Sequence, residues 1–317
     1  MISRLDHQML WIFAGLLGLL LLSSVVGFIL SRTARSETGK ATAKNLNARI
    51  IAWWKMSGIF ALTLLMGPHG SILLFALISF LALREYMTLI RTSRADHNTL
   101  FWSFFVITPL QYWLLYISWY GLFVALIPVY AFLFIPLRLV LEGDTTGFLD
   151  RAARIHWGLM ICVYCISYAP ALLILNIPGY RQDAKLLLFL VIVVQLSDVF
   201  QYVWGKMLGK RKIAPHVSPN KTWEGFVGGI LTATTIGGAL WWMTPFSRLQ
   251  ALGMSLLLTL LGFAGGLVMS AIKRDRSVKD FGSMIEGHGG ILDRMDSICF
   301  SAPIFFHLTR FFFERSS

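Results

Sequence analysis

Four aspartates and five basic residues fall between Lys273 and Asp296: Asp275, Asp280, Asp293 and Asp296 with Lys273, Arg274, Arg276, Lys279 and Arg294. Carboxylates beside Lys and Arg suit phosphoryl or nucleotidyl transfer. Mg²⁺ takes one or two carboxylates plus phosphate oxygens, and the cations clamp the remaining charge. Asp293 and Asp296 stand three positions apart, so a helix would place both on one face as a candidate pair of metal ligands. Asp280 is a third catalytic candidate. His288 lies among Gly287, Gly289 and Gly290, where missing side chains leave backbone N–H groups open and an imidazole is able to meet a phosphate oxygen or act as general acid. A salt-bridged surface loop would carry the same charges but would not need three glycines in four positions.

A second polar block precedes this one. Asp198 sits inside an apolar run, Leu186 to Trp204, where an ionised carboxylate costs roughly 2.5 to 3.5 kcal/mol. An interhelical hydrogen bond or a polar cavity would offset that cost. The cavity fits the downstream residues, because Gln201, Gly205, Lys206, Gly209, Lys210, Arg211 and Lys212 continue the polar character. Pro215 and Pro219 then bar a helix, so the chain must turn. Ser218, Lys221 and Thr222 bring hydroxyl and ammonium donors to an anion near a helix N-terminus. A Walker loop, a Gly-x-Ser-x-Gly elbow, a His-Glu-x-x-His motif and paired zinc-type cysteines are all missing. Cys162, Cys165 and Cys299 lie in apolar runs and read as buried thiols.

The elements that position these residues must be membrane helices. Of 317 residues, 56% are hydrophobic and 14% charged, against about 25% charged in soluble domains. The net charge of +12 suits a nucleic-acid partner, but the apolar fraction excludes that class. Apolar runs near 10–30, 54–66, 71–83, 100–119, 122–141, 155–175, 186–204, 226–243, 249–271 and 297–313 predict an all-α polytopic membrane protein of ten helices, or nine if the turn at Gly67 to Gly70 does not complete a crossing. Basic residues test the count. The connections 31–55, 84–98, 138–154, 205–224 and 273–296 hold 22 of the 28 Lys and Arg, which puts them on the cytoplasmic side and both termini outside. Residues 1–185 form the N-terminal helices and 186–317 the C-terminal helices with the motifs, as one membrane unit. A transporter would show broken helices in corresponding halves, whereas these polar motifs crowd the C-terminal third.

The stretch from Ser270 to Asp296 resembles the signature of the phosphatidate cytidylyltransferases, or CDP-diacylglycerol synthases. It carries Ser270, Lys273, Arg274, Lys279, Asp280, Gly282, His288, Gly289, Gly290, Asp293, Arg294 and Asp296 in step. Upstream, Asp198, Tyr202, Gly205, Lys206, Gly209, Lys210, Pro215, Ser218, Pro219, Lys221, Thr222, Glu224, Gly225 and Gly229 also match. The resemblance implies transfer of CMP from CTP to phosphatidate, giving CDP-diacylglycerol and pyrophosphate for phospholipid biosynthesis, with Mg²⁺ as cofactor and Mn²⁺ or a second cation as the alternative. It implies a bacterial inner-membrane protein with motif loops facing the cytoplasm, CTP and a lipid phosphate as partners, and no nucleic acid; a homodimer is compatible with it. By carry-over, Asp293 and Asp296 hold the metal with support from Asp280. Lys221, Lys273, Arg274, Lys279 and Arg294 hold the phosphates, and Asp198 lines the cavity.

One departure stands out. The family usually carries an acid four positions before its signature serine and a second acid just before it, and here those places hold Gly266 and Met269. The first acid is an expected metal ligand. The alternative reading is therefore a catalytically weak or silent homologue that binds lipid or nucleotide.

Overall fold

The computed structural model describes residues 7–33, 36–90, 92–180, 184–285 and 289–314. Among them the chain forms ten helical rods: α1 (His7–Thr33), α2 (Glu37–Leu65), α3 (Pro68–Leu89), α4 (97–116), α5 (Tyr120–Val140), α6 (Phe148–Ile174), α7 (Lys185–Leu208), α8 (Trp223–Ala239), α9 (Arg248–Asp275) and α10 (Leu292–Phe313). Seven are individually long and apolar enough to cross a membrane: α1, α3, α5, α6, α7, α9 and the Leu46–Leu65 part of α2. Of the rest, α8 has 17 residues and α10 opens with Asp293, Arg294 and Asp296. The protein is a polytopic helical membrane protein.

Local sequence explains where the rods start and where they widen. Pro68 is the first residue of α3, a position where its missing N–H breaks no helical bond. The turn at Gly67 thus joins two full helices. The expected loop over 31–55 is mostly helix instead, because Ser36 caps α2, its hydroxyl accepting the Gly39 N–H at 3.0 Å, and no proline follows until Pro68. Three rods contain wider π turns, at Ser103–Ile107, Leu126–Ala131 and Met160–Cys165. Pro109 and Pro128 lie at or beside the first two, where a residue without an N–H cannot complete the ordinary ladder.

The C-terminal rods pack in chain order, α7 along α8, α8 along α9 and α9 along α10, while α10 also meets α3 and α6. Leu83, Leu159, Ile166, Phe189 and Phe305 are fully buried where these rods meet. The hairpin of α1 and α2 lies outside this core and presents exposed apolar side chains such as Leu22, Phe28 and Leu62. The three cysteines are free thiols, with Cys162 and Cys299 buried.

Two polar features organise the rod ends. Between α7 and α8 the chain makes a short antiparallel hairpin, β1 (Lys212–Ala214) with β2 (Ser218–Thr222), a small extended connection within the all-α membrane architecture. The prolines explain it, since Pro215 occupies the turn and Pro219 excludes a helix. Elsewhere, Arg151 at the start of α6 donates through Nε to Asp96 at 2.8 Å and through Nη1 to Asp144 at 2.7 Å and to the Thr146 carbonyl at 3.0 Å. That guanidinium fastens the 90–97 connection to the 141–147 connection.

Candidate functional site

The motif loop between α9 and α10 is built around one carboxylate. Asp293, on the first turn of α10, accepts Lys273 Nζ at 2.7 Å, the Phe281 N–H at 2.8 Å and the Gly290 N–H at 3.0 Å. An ammonium and two backbone donors converge on two oxygens that are buried from solvent. Charge-assisted bonds of this kind contribute about 1.5 to 3 kcal/mol each. Asp293 thus ties the last turn of α9 and both sides of the loop to α10.

A second carboxylate, Glu85 on α3, seats the same loop from below. Its oxygens accept the Ile291 N–H at 3.0 Å and the Leu292 N–H at 2.9 Å, which satisfies two orphan donors at the N-terminus of α10 and complements its dipole. Gly282 and Gly290 permit this, because a Cβ at Gly282 would lie 2.6 Å from Glu85 Oε1, and one at Gly290 would also collide with the carboxylate. Sequence reasoning missed Glu85. It stands at the end of an apolar run beside Arg84 and looked like part of a solvated connection; the only available signal was an acid in the last turns of a span, without a nearby partner in sequence.

A third group gathers deeper in the bundle. Ser297 Oγ donates to Asp198 Oδ2 at 2.8 Å and lies 3.4 Å from Asp296 Oδ1, and the Ser297 N–H reaches that same oxygen at 2.8 Å. The two carboxylates thus face each other across one hydroxyl. Lys221, at the end of β2, extends its ammonium into this region and lies over the Phe263 ring, 4.4 Å from its centre. Burial pushes the Lys221 ammonium below its ordinary range, and Asp198 and Asp296 pull it back up. Arg294 comes from the α10 side, and its buried Nε has no hydrogen-bond partner among the described residues.

The hairpin that carries Lys221 is held by its own ends. Thr222 caps α8, its hydroxyl accepting the Gly225 N–H at 3.1 Å, and such a cap is worth about 1 kcal/mol. Glu224 accepts the Lys210 N–H at 3.0 Å and the Arg211 N–H at 3.3 Å. Arg274 bridges to it from the end of α9, donating to the Val217 and Val278 carbonyls at 3.2 Å each.

The expected site residues therefore divide. Asp198, Lys221, Arg294 and Asp296 converge deep in the bundle, with Lys273 and Asp293 above them. Ser218 lies in β2 opposite Ala214, while Lys279 and Asp280 are exposed on the loop. The Thr222 hydroxyl and the Gly290 N–H, both expected to meet an anion, are engaged within the protein. His288 lies outside the described residues.

The described residues do not fit a resident divalent cation. Asp293 faces an ammonium and two N–H donors. Gly266 is buried and offers no oxygen-bearing side chain, and no group of three or more His, Cys, Asp or Glu able to hold a metal occurs among the described residues. Of the expected pair, Asp293 organises the loop and Asp296 shares the Ser297 hydroxyl with Asp198.

The pattern described as "Cytidylyltransferase family" matches residues 47–312. A protein of Escherichia coli (strain K12) called "Uncharacterized protein YnbB" is 42% identical over 303 residues, 94% of this chain and 97% of that protein. The phosphatidate cytidylyltransferase of Bacillus subtilis (strain 168) is 38% identical over 171 residues, 53% of this chain and 60% of that enzyme. That of Staphylococcus aureus (strain COL) is 35% identical over 167 residues, 52% of this chain and 61% of that enzyme.

Proposed function

The chain belongs to the cytidylyltransferase family, and from that premise we propose that it transfers CMP from CTP to phosphatidate or a related lipid phosphate. A phosphate oxygen of the lipid attacks the α-phosphorus of CTP. The new P–O bond forms as the bond to the β-phosphate oxygen breaks, and pyrophosphate leaves. The lipid phosphate is already ionised near neutral pH, so no serine or cysteine nucleophile is needed.

The observation that carries this reading is the convergence of Lys221 and Arg294 with Lys273 beside Asp198 and Asp296 at one end of a membrane bundle. Fixed cations in a partly dry site stabilise charge that builds on transferring phosphoryl oxygens far better than water does. Arg294, held close to α10 with an unpartnered Nε, is placed to bind a phosphate oxygen. Lys279 on the exposed loop and Arg274 at the end of α9 attract the polyphosphate. The motif end faces the cytoplasm of a bacterial inner membrane, where CTP is found. Family members typically use a metal; for this chain, Lys and Arg carry the phosphate contacts.

Gly266 favours a second reading, a homologue that binds nucleotide or lipid without turnover. Detergent-purified protein incubated with CTP and phosphatidate separates the two. Pyrophosphate release that needs both substrates supports transfer. Thermal stabilisation by CTP without any pyrophosphate supports the silent homologue.

A further inference from the structure

The place where this chain departs from the family pattern is filled. A Cβ built on Gly266 would lie 2.9 Å from Lys221 Nζ and 3.9 Å from Ser297 Oγ. The charged end of Lys221 therefore occupies the space into which an acidic side chain at position 266 would project. The nearest walls are the Phe263 ring, 4.4 Å from Nζ to its centre, and the Ser297 hydroxyl that lies between Asp198 and Asp296.

Charge follows the same pattern. Asp198 and Asp296 lie near Lys221 and Arg294, while Lys273 is already committed to Asp293. An acid at 266 would add a carboxylate beside the Lys221 ammonium and strengthen the pull on a dication; glycine adds none. Two buried carboxylates facing each other need a cation close by, and Lys221 approaches them from β2.

We propose that Lys221 takes the place of a resident divalent cation in this chain, its ammonium occupying the Gly266 cradle and balancing Asp198 and Asp296, so that the protein without nucleotide holds no divalent cation there. The ammonium then meets nucleotide phosphate directly. This builds on the cytidylyl-transfer reading only for the identity of that nucleotide.

The test is Mn²⁺ binding to the full-length protein in detergent without nucleotide, read by the electron paramagnetic resonance signal of free Mn²⁺. Wild type is expected to bind no more tightly than about 1 mM. Lys221→Met removes the internal cation and Gly266→Asp adds a carboxylate, so each tightens Mn²⁺ binding at least about tenfold. Wild-type binding near about 10 μM overturns the proposal, and so does a failure of both variants to improve on wild type. A parallel arm follows thermal stabilisation by CTP in EDTA: stabilisation that survives EDTA supports Lys221 as the phosphate partner, and stabilisation that EDTA abolishes overturns it. If CTP gives no stabilisation under any condition while the Mn²⁺ results hold, cytidylyl transfer falls and the placement of Lys221 stands.

Discussion

Arg151 and Arg294 each approach a pair of aspartates, and the contrast between them separates scaffold from site. Arg151 donates through Nε and Nη1 to Asp96, Asp144 and the Thr146 carbonyl, and Asp96 also caps the Ser93 N–H at 2.7 Å. That cluster fixes the guanidinium through two aspartates and joins two connections. Arg151 Nη2 and Arg294 Nε are both buried without a partner among the described residues. Arg151, however, is already ion-paired to Asp96 and Asp144, whereas near Arg294 the carboxylates of Asp198 and Asp296 are linked to each other through Ser297. The difference is that two aspartates fix Arg151 in a scaffold, while the Arg294 cluster is the one proposed to receive an anion.

Substitutions can break that contrast. The largest effect is expected at Asp293, which belongs to both categories because it closes the motif loop and so positions the Arg294 cluster. Asp293→Asn should lower turnover about 1000-fold, since misplaced donors lose their transition-state contacts; steady-state rates on folded, detergent-purified protein check it. Arg151→Met should cost about 3 kcal/mol by leaving Asp96 buried without its cation, seen as a lower unfolding temperature with kcat/KM unchanged below it. An equal loss of kcat/KM would erase the distinction between the two regions.

Glu85→Gln tests whether the N-terminal helices reach the site. The amide keeps the shape but loses charge against the Ile291 and Leu292 N–H groups. Turnover should fall about 30-fold, with roughly 2 kcal/mol lost from the paired hydrogen bonds. The smallest effect is a gain. Ser277 has φ of 55° in the turn that ends α9, so Ser277→Gly should add about 1 kcal/mol of thermal stability and leave KM unchanged.

Much of the C-terminal site was legible because charges in apolar sequence demand compensation. Asp198 had to find a partner, and it found Ser297. Lys273 and Asp293 were visible as a charged pair within one motif, although their mutual bond was not, since spacing alone cannot distinguish a metal ligand from a loop clamp. Ten apolar runs gave ten rods, because hydropathy and length determine what a membrane admits. The hidden parts were those that depend on tertiary approach. Glu85 is some two hundred residues from the backbone groups it caps, Thr222 looked like an anion donor until its helix began at Trp223, and the Lys221 ammonium reaches Gly266 only once β2 and α9 have packed.

The central claim is that the lipid phosphate displaces pyrophosphate from CTP at this cluster. The most direct measurement uses purified protein with phosphatidate and CTP labelled at either the α- or the γ-phosphate. The account predicts that α-label moves into the organic phase as a CDP-linked lipid while γ-label stays in water as pyrophosphate. Protein that CTP stabilises thermally, yet that moves no α-label into lipid, contradicts it.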